Sequence, residues 1–142
     1  MPADLGTLGA LERACFTEPW TTSTLSAALS EEKYVILLAR EAKRTLAVSA
    51  FGYAIGWNVG DEAELARVGI HPSLRGQGFG NQVTKALLEV LRERAVKKVF
   101  LEVRESNLAA HKLYEKSGFV EVGQRLNYYA DGETAIIMCV EL

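Results

Sequence analysis

The chain has 142 residues, 49% hydrophobic and 24% charged, the balance of one globular domain spanning 1–142 and not of a disordered chain. A formal net charge of −2 provides no clustered basic excess of the kind nucleic-acid binding requires. No apolar run approaches the ~20 residues of a membrane span and the acidic start lacks a signal-peptide core, so a cytoplasmic protein with no nucleic-acid or membrane partner is expected.

From the N-terminus, Leu5, Leu8, Leu11 and Ala14 or Cys15 recur at helical spacing after Asp4, a candidate N-cap, and Pro19 ends the segment. Thr21 or Thr22 is suited to cap a second short helix whose Leu25, Ala28 and Leu29 share a face. Residues 34–39 then read as a strand and 45–55 as a longer one, and the charged stretch 41–44 between them suggests an antiparallel hairpin. Residues 62–70 form a third strand that stops at Pro72, which cannot donate to a ladder. Phe79, Val83, Ala86, Leu87, Val90 and Leu91 make one apolar stripe of a helix.

Residues 99–103 read as a short strand of the type buried by helices, and 107–117 as a helix ended by Gly118. Two strands close the chain, 119–129 and 134–140, joined by an Asp131-Gly132 turn. Two helices, three strands, helix, strand, helix and two strands predict a mixed α/β sandwich. It should be antiparallel at its ends and parallel around the central strand-helix-strand unit. Cys15 and Cys139 lie far apart with no metal spacing and read as small buried apolar residues, while His71 and His111 stand alone; no metal site is expected.

The most informative segment is Arg75-Gly76-Gln77-Gly78-Phe79-Gly80-Asn81, where three glycines alternate immediately before the amphipathic helix. Glycine permits φ > 0 and places no Cβ between an anion and the backbone N–H groups. The helix N-terminus adds unpaired donors and a favourable dipole, and Arg75 adds charge, so the segment suits a pyrophosphate. A Walker loop would need Lys-Ser/Thr after its last glycine, and the dinucleotide fingerprint would need glycine in place of Asn81.

Downstream, Glu102 places a carboxylate inside an apolar strand, where a buried charge needs a reason. Arg104 falls on the same face at period two and would make a salt bridge; the other reading is a general base.

The glycine segment, with the strand before it, resembles the acetyl-CoA loop of the GNAT superfamily, Arg/Gln-x-x-Gly-x-Gly/Ala. The run from Leu101 through Glu102-Val103-Arg104-Glu105-Ser106-Asn107 to Tyr114 and Gly118-Phe119 is similar to the LEVRxSNxxAxxLYxxxGF stretch of its ribosomal-protein alanine N-acetyltransferase (RimI-type) branch. Pro19-Trp20 and the ending Asn127-Tyr128-Tyr129 to Met138 match the same branch, so the likeness covers nearly the whole chain.

The resemblance implies a GNAT fold, a mixed, mostly antiparallel sheet with a central splayed parallel pair flanked by helices. It implies acetyl-CoA as co-substrate, held by Val68, Gly69 and Ile70 along the pantetheine and by Arg75, Gly76, Gln77, Gly78, Phe79, Gly80 and Asn81 at the pyrophosphate. Asn107 would hydrogen-bond the pantetheine, Glu102 would be the general base and Tyr114 the general acid. Trp20, Tyr128 and Tyr129 would wall the acceptor groove, with Glu18, Asp131 and Glu133 meeting a basic peptide, while Tyr53 and Trp57 belong to core or sheet surface.

The implied acceptor is a peptide or protein N-terminus, foremost the N-terminal alanine of a small-subunit ribosomal protein, and the enzyme would be a monomer or weak homodimer. Another protein N-terminus, a small-molecule amine, or a silent acyl-CoA-binding subunit are the alternatives. Two departures from the family bear on the acceptor. The chain opens almost at the first helix, so the family's first strand of about ten residues is expected to be absent or truncated, which would either expose a sheet edge or reflect a late start, and the hairpin before Glu133 is short.

Overall fold

The computed structural model describes residues 2–40 and 50–142. Helices α1 (Pro2–Cys15) and α2 (Thr22–Ser30) precede strands β1 (Tyr34–Arg40), β2 (Ala50–Val59) and β3 (Glu62–Ile70). A single 3-10 turn, Pro72–Leu74, leads into α3 (Phe79–Glu93), followed by β4 (Lys98–Arg104), α4 (Leu108–Lys116), β5 (Val120–Arg125) and β6 (Ala135–Glu141). The six strands form one sheet in the order β1-β2-β3-β4-β6-β5. Among the described residues no helix is long and apolar enough to cross a membrane.

Helix α1 runs from Pro2 to Cys15, and the side chain of Asp4, the candidate N-cap, lies outside what is described. Leu8 and Leu11 are buried against Leu25 of α2 and against Tyr53 and Ile55 of β2, so both helices cover one face of the sheet. Thr21, not Thr22, caps α2, its hydroxyl accepting the Thr24 N–H at 3.1 Å. On the other face Val83, Leu87, Leu88 and Leu91 of α3 pack on Leu65, Val99, Leu101 and Val103. Each fully buried leucine is worth about 1.5–3 kcal/mol relative to exposure, so Leu87 and Leu91 fix where the N-terminus of α3 must lie.

β1 and β2 pair antiparallel as expected, from Tyr34↔Trp57 to Ala39↔Gly52. The expected turn at 41–44 and the first part of the expected strand, 45–49, lie outside the described residues. β2 runs on to Val59, past the expected end at residue 55, because Asn58 and Val59 still pair with Ala63 and Glu62.

β5 and β6 pair antiparallel, but β5 stops at Arg125 and β6 begins at Ala135. Residues 126–134 form a loop folded back on itself, with Tyr129 N–H donating to the Glu133 carbonyl at 3.1 Å and Gly132 N–H to the Tyr129 carbonyl at 2.8 Å. The ladder is lost because side chains outcompete it. The Arg104 guanidinium on β4 binds Asp131 at 2.8 Å and Glu133 at 3.0 Å, and the Glu133 carboxylate also accepts the Ser106 N–H at 2.8 Å.

Candidate active site

β3 and β4 run parallel and pair only at Glu62↔Lys98, Ala63↔Val99 and Glu64↔Phe100. Their N-terminal ends are pinned by the Asp61 carbonyl, which accepts the Lys97 N–H at 2.7 Å. Beyond Glu64 and Phe100 no ladder joins the two strands, although each continues to pair on its outer side, β3 with β2 and β4 with β6. The sheet therefore opens toward the C-terminal ends of β3 and β4. Backbone N–H and C=O groups on the facing edges there lack a strand partner, and such groups seek an extended polar chain.

The glycine segment stands at the open end. Gly76 (φ 79°) and Gly78 (φ 85°) adopt the left-handed conformation, and a Cβ at either would meet nothing within 4 Å. Gly78 is the N-cap of α3 and no side chain caps it, so the first N–H groups of α3 are left for an external acceptor. The third glycine differs. Gly80 has ordinary φ, and a Cβ there would lie 3.3 Å from Leu113 Cδ2 and 3.8 Å from Ile70 Cγ1, so its smallness lets α3 approach α4 and β3. Arg75 Nε donates to the Ile70 carbonyl at 3.0 Å and its Nη2 to the Cys15 carbonyl at 3.3 Å, tying the segment to β3 and α1. Gln77 is exposed, the Phe79 ring sits 4.8 Å from Phe51, and Asn81 accepts the Ser117 hydroxyl at 3.1 Å, joining α3 to α4. The uncapped helix end, the two left-handed glycines and the unladdered strand edges fit a pyrophosphate carried on an extended arm.

Val68 and Ile70 pack on the core beneath α3, and Gly69 lies where a Cβ would come 2.6 Å from the Tyr53 ring. Asn107 caps α4, its side-chain oxygen accepting the Ala110 N–H at 3.1 Å, which leaves the amide nitrogen as a donor. Tyr114, on the following turns of α4, is buried, with its ring 5.8 Å from Phe119. Burial pushes its phenol up to about 12, and the neighbouring Tyr129 adds to the rise, so the hydroxyl keeps its proton at neutral pH.

Glu102 occupies the middle of β4, on the face away from the α3 core, with its side chain 22% exposed. Its ion-pair partner is Arg125 of β5, at 3.5 Å, and not Arg104, which the loop carboxylates have captured. The Glu102 carboxylate beside it raises the Tyr128 phenol above its ordinary value. Tyr129 is raised mainly by burial, with Glu102 contributing, and Arg104 lies 4.0 Å over its ring. The loop thus brings both expected tyrosines to Glu102. Asp131 and Glu133, expected to face a basic peptide, instead hold the loop in place through Arg104.

Across the opening, the Trp20 backbone N–H donates to Glu12 at 2.7 Å. Glu12 is fully buried; its carboxylate also accepts the Tyr53 hydroxyl and pairs with Arg67 Nε at 3.3 Å. Arg67 stacks 4.1 Å from the Phe16 ring and 5.3 Å from Trp20, and its Nη2 donates to the Glu18 carbonyl at 3.0 Å. One buried carboxylate therefore holds the 16–21 loop, with Trp20, over β3. The Glu18 side chain is exposed.

Sequence reasoning missed Glu12, although a charge four residues after Leu8 on the apolar stripe of α1 is its signal. Glu64, Arg67 and Arg125 were also missed, for they show no signal of their own in a sequence. His71 caps the 3-10 turn, accepting the Ser73 N–H at 3.2 Å, and His111 Nε2 lies 3.1 Å from the Arg104 carbonyl, so both have structural roles. Both cysteines are free.

Comparison with known proteins agrees with this geometry. The profile of the acetyltransferase (GNAT) family matches residues 6–119. A [ribosomal protein bS18]-alanine N-acetyltransferase of Haemophilus influenzae is 37% identical over 98% of this chain and 93% of its own length. Its counterpart of the same name in Escherichia coli (strain K12) is 35% identical over 93% of this chain and 87% of its own. The crystal structure of the ribosomal-protein-S18-alanine N-acetyltransferase from Escherichia coli superposes with a TM-score of 0.86 at 33% identity, covering 99% of this chain and 89% of that one.

Proposed function

The chain belongs to the acetyltransferase (GNAT) family, whose members use acetyl-CoA, and from that premise we propose that it acetylates the α-amine of an N-terminal alanine on a small-subunit ribosomal protein. The observation that supports this most strongly is the parting of β3 and β4 beside the uncapped end of α3, with Glu102 on one side of the opening and Tyr114 on the helix that follows. Substrates named for the 35–37% identical relatives, ribosomal protein bS18 with an N-terminal alanine, supply the acceptor class.

Acetyl-CoA supplies the thioester when bound. The N–H groups of residues 78–81 would hold its pyrophosphate, with Arg75 nearby, and the free edge of Val68–Ile70 with the Asn107 amide would hold the pantetheine. An α-ammonium has pKa near ~8, so it needs only a modest base, and Glu102 takes its proton. A backbone N–H on the parted β3 holds the carbonyl oxygen as negative charge develops there. Tyr114 keeps its proton well above neutral pH and gives it to the departing sulfur. Trp20, Tyr128 and Tyr129 wall the path by which the peptide reaches Glu102.

The test is incubation with acetyl-CoA and a panel of peptides that differ in their first residue, beside a polyamine, read by mass spectrometry. Acetylation of alanine-initiated peptides is expected. Turnover of the polyamine with none of any alanine-initiated peptide would refute the acceptor.

A further inference from the structure

Glu64 is the last residue of β3 to pair with β4 before the strands part, opposite Phe100. Paired residues of a parallel ladder share a face, and so do residues two apart on one strand. Glu64 therefore lies on the same face as Glu102. A strand spacing of ~4.8 Å and an offset of two residues at ~3.3 Å each put their Cα atoms roughly 8 Å apart, within reach of one small cation held between two glutamate side chains.

The register of β3 brings the groove together further. Ile55 pairs with Arg67 but Gly56 with Leu65, leaving Ala66 as a bulge. Strict alternation would put Glu64 and Arg67, three residues apart, on opposite faces. The bulge puts both on the side of α1 and α2, while Leu65 and Val68 both turn to the α3 core.

The Glu64 carboxylate has no hydrogen bond and no ion pair among the described residues. Its neighbour on β2 is Trp57, which carries no charge. The charged groups acting on it are Glu102 of β4, of like sign, and, opposing it more weakly, Arg125 of β5; burial first, and then Glu102, raise its carboxyl above the ordinary range. A half-buried carboxylate beside a second carboxylate costs stability unless a cation comes to it. Arg67 and Arg104 are committed elsewhere, to Glu12 and to the loop carboxylates.

We propose that Glu64 is an acceptor-binding residue, which together with Glu102 receives the ammonium of the incoming N-terminus at the mouth of the parted strands. The inference rests on the acetyl-transfer reading above and adds to it the group that recognises the charged amine before Glu102 takes its proton. A primary ammonium presents three N–H donors, and two carboxylates from adjacent strands accept them better than one. The site would select a free, charged N-terminus over a blocked one by binding, ahead of chemistry.

Glu64→Gln, Glu64→Asp and wild type are compared by steady-state kinetics with one alanine-initiated peptide and acetyl-CoA, and by thermal melts. For Glu64→Gln the peptide KM should rise about 10- to 100-fold, the loss expected for one charge-assisted hydrogen bond, with acetyl-CoA KM within about 2-fold. Its Tm should be unchanged or higher, because the variant removes a half-buried charge that faces a like charge. Glu64→Asp, which keeps the charge on a shorter arm, should recover part of the peptide KM.

An unchanged peptide KM in Glu64→Gln overturns the inference while wild-type turnover leaves the acetyl-transfer reading intact. A lowered Tm with both KM values disturbed together overturns it too, since that is the signature of a structural residue. Absence of peptide acetylation by the wild type overturns the acetyl-transfer reading, and this inference with it.

Discussion

Gly78→Ala separates what the fold asks of the glycine segment from what a phosphate asks of it. Gly78 has φ 85°, where an L-residue costs about 1–2 kcal/mol. No atom lies within 4 Å of the added Cβ, so no clash adds to that cost. In a domain of this size the strain corresponds to a Tm lower by about 3–7 °C, and the variant should fold. Its effect on the ligand should be larger. The Cβ would stand over the N–H groups that begin α3, and each charge-assisted hydrogen bond lost there is worth about 1.5–3 kcal/mol, or roughly 10- to 100-fold in Kd. Isothermal titration with acetyl-CoA reads the affinity and a thermal melt the stability. Gly80→Ala is the control, because Gly80 has ordinary φ and the tightest neighbour of its Cβ would be the flexible end of Leu113, at 3.3 Å, with Ile70 Cγ1 in ordinary contact at 3.8 Å. It should leave acetyl-CoA affinity within a few-fold of wild type. If Gly78→Ala binds acetyl-CoA as wild type does, or Gly80→Ala weakens it as much, the phosphate is not held at the α3 N-terminus.

Other perturbations probe the remaining parts of the site. Glu102→Gln should lower kcat by about 10²- to 10⁴-fold, the range for a positioned general base, while titration shows acetyl-CoA affinity retained. Tyr114→Phe should lower kcat at every pH, and because the wild-type phenol is pushed up to about 12, no alkaline fall in wild-type rate below about pH 11 should trace to Tyr114. Removing the buried carboxylate with Glu12→Ala strands Tyr53 and Arg67, so chemical denaturation should show a loss of about 3–5 kcal/mol, and peptide KM should rise as the Trp20 loop is released.

Hydrogen exchange reads the loop at residues 126–134. Asp131 and Glu133 are held below their ordinary values of 3.8 and 4.5, Asp131 first by the Glu133 N–H and Glu133 first by Ser106, each with Arg104 contributing. A folded value below the unfolded one gives stabilisation that is complete above the ordinary value and lost as pH falls through the lowered one. Exchange in the loop should therefore stay slow down to pH 4.5 and quicken only below it. Arg104→Ala should quicken it already at neutral pH.

Much of the framework could be read from residue patterns because it rests on local rules. Pro72 ends β3 just after Ile70, the apolar stripe of α3 turns to the sheet, and Gly118 (φ 97°) terminates α4. What stayed hidden depends on partners remote in sequence. Glu102 and Arg104 lie two apart and invite a pairing, yet Arg104 is drawn to Asp131 and Glu133 and Glu102 to Arg125. The same capture turns the end of the strand expected over 119–129 into a loop that delivers Tyr128 and Tyr129 to the base. The bulge at Ala66 is likewise invisible, since alternation from Ala63 and Leu65 would send Arg67 into the apolar core. Of three alternating glycines only two serve an open backbone, and the third is small because Leu113 lies against it.

The most direct measurement is fragment mapping by mass spectrometry of one peptide that begins with alanine and carries an internal lysine, after incubation with acetyl-CoA and the wild-type protein or Glu102→Gln. A single acetyl group on the alanine α-amine, formed by the wild type and strongly reduced in Glu102→Gln, is the predicted result. Acetyl on the lysine alone, or equal α-acetylation by both proteins, would contradict the account.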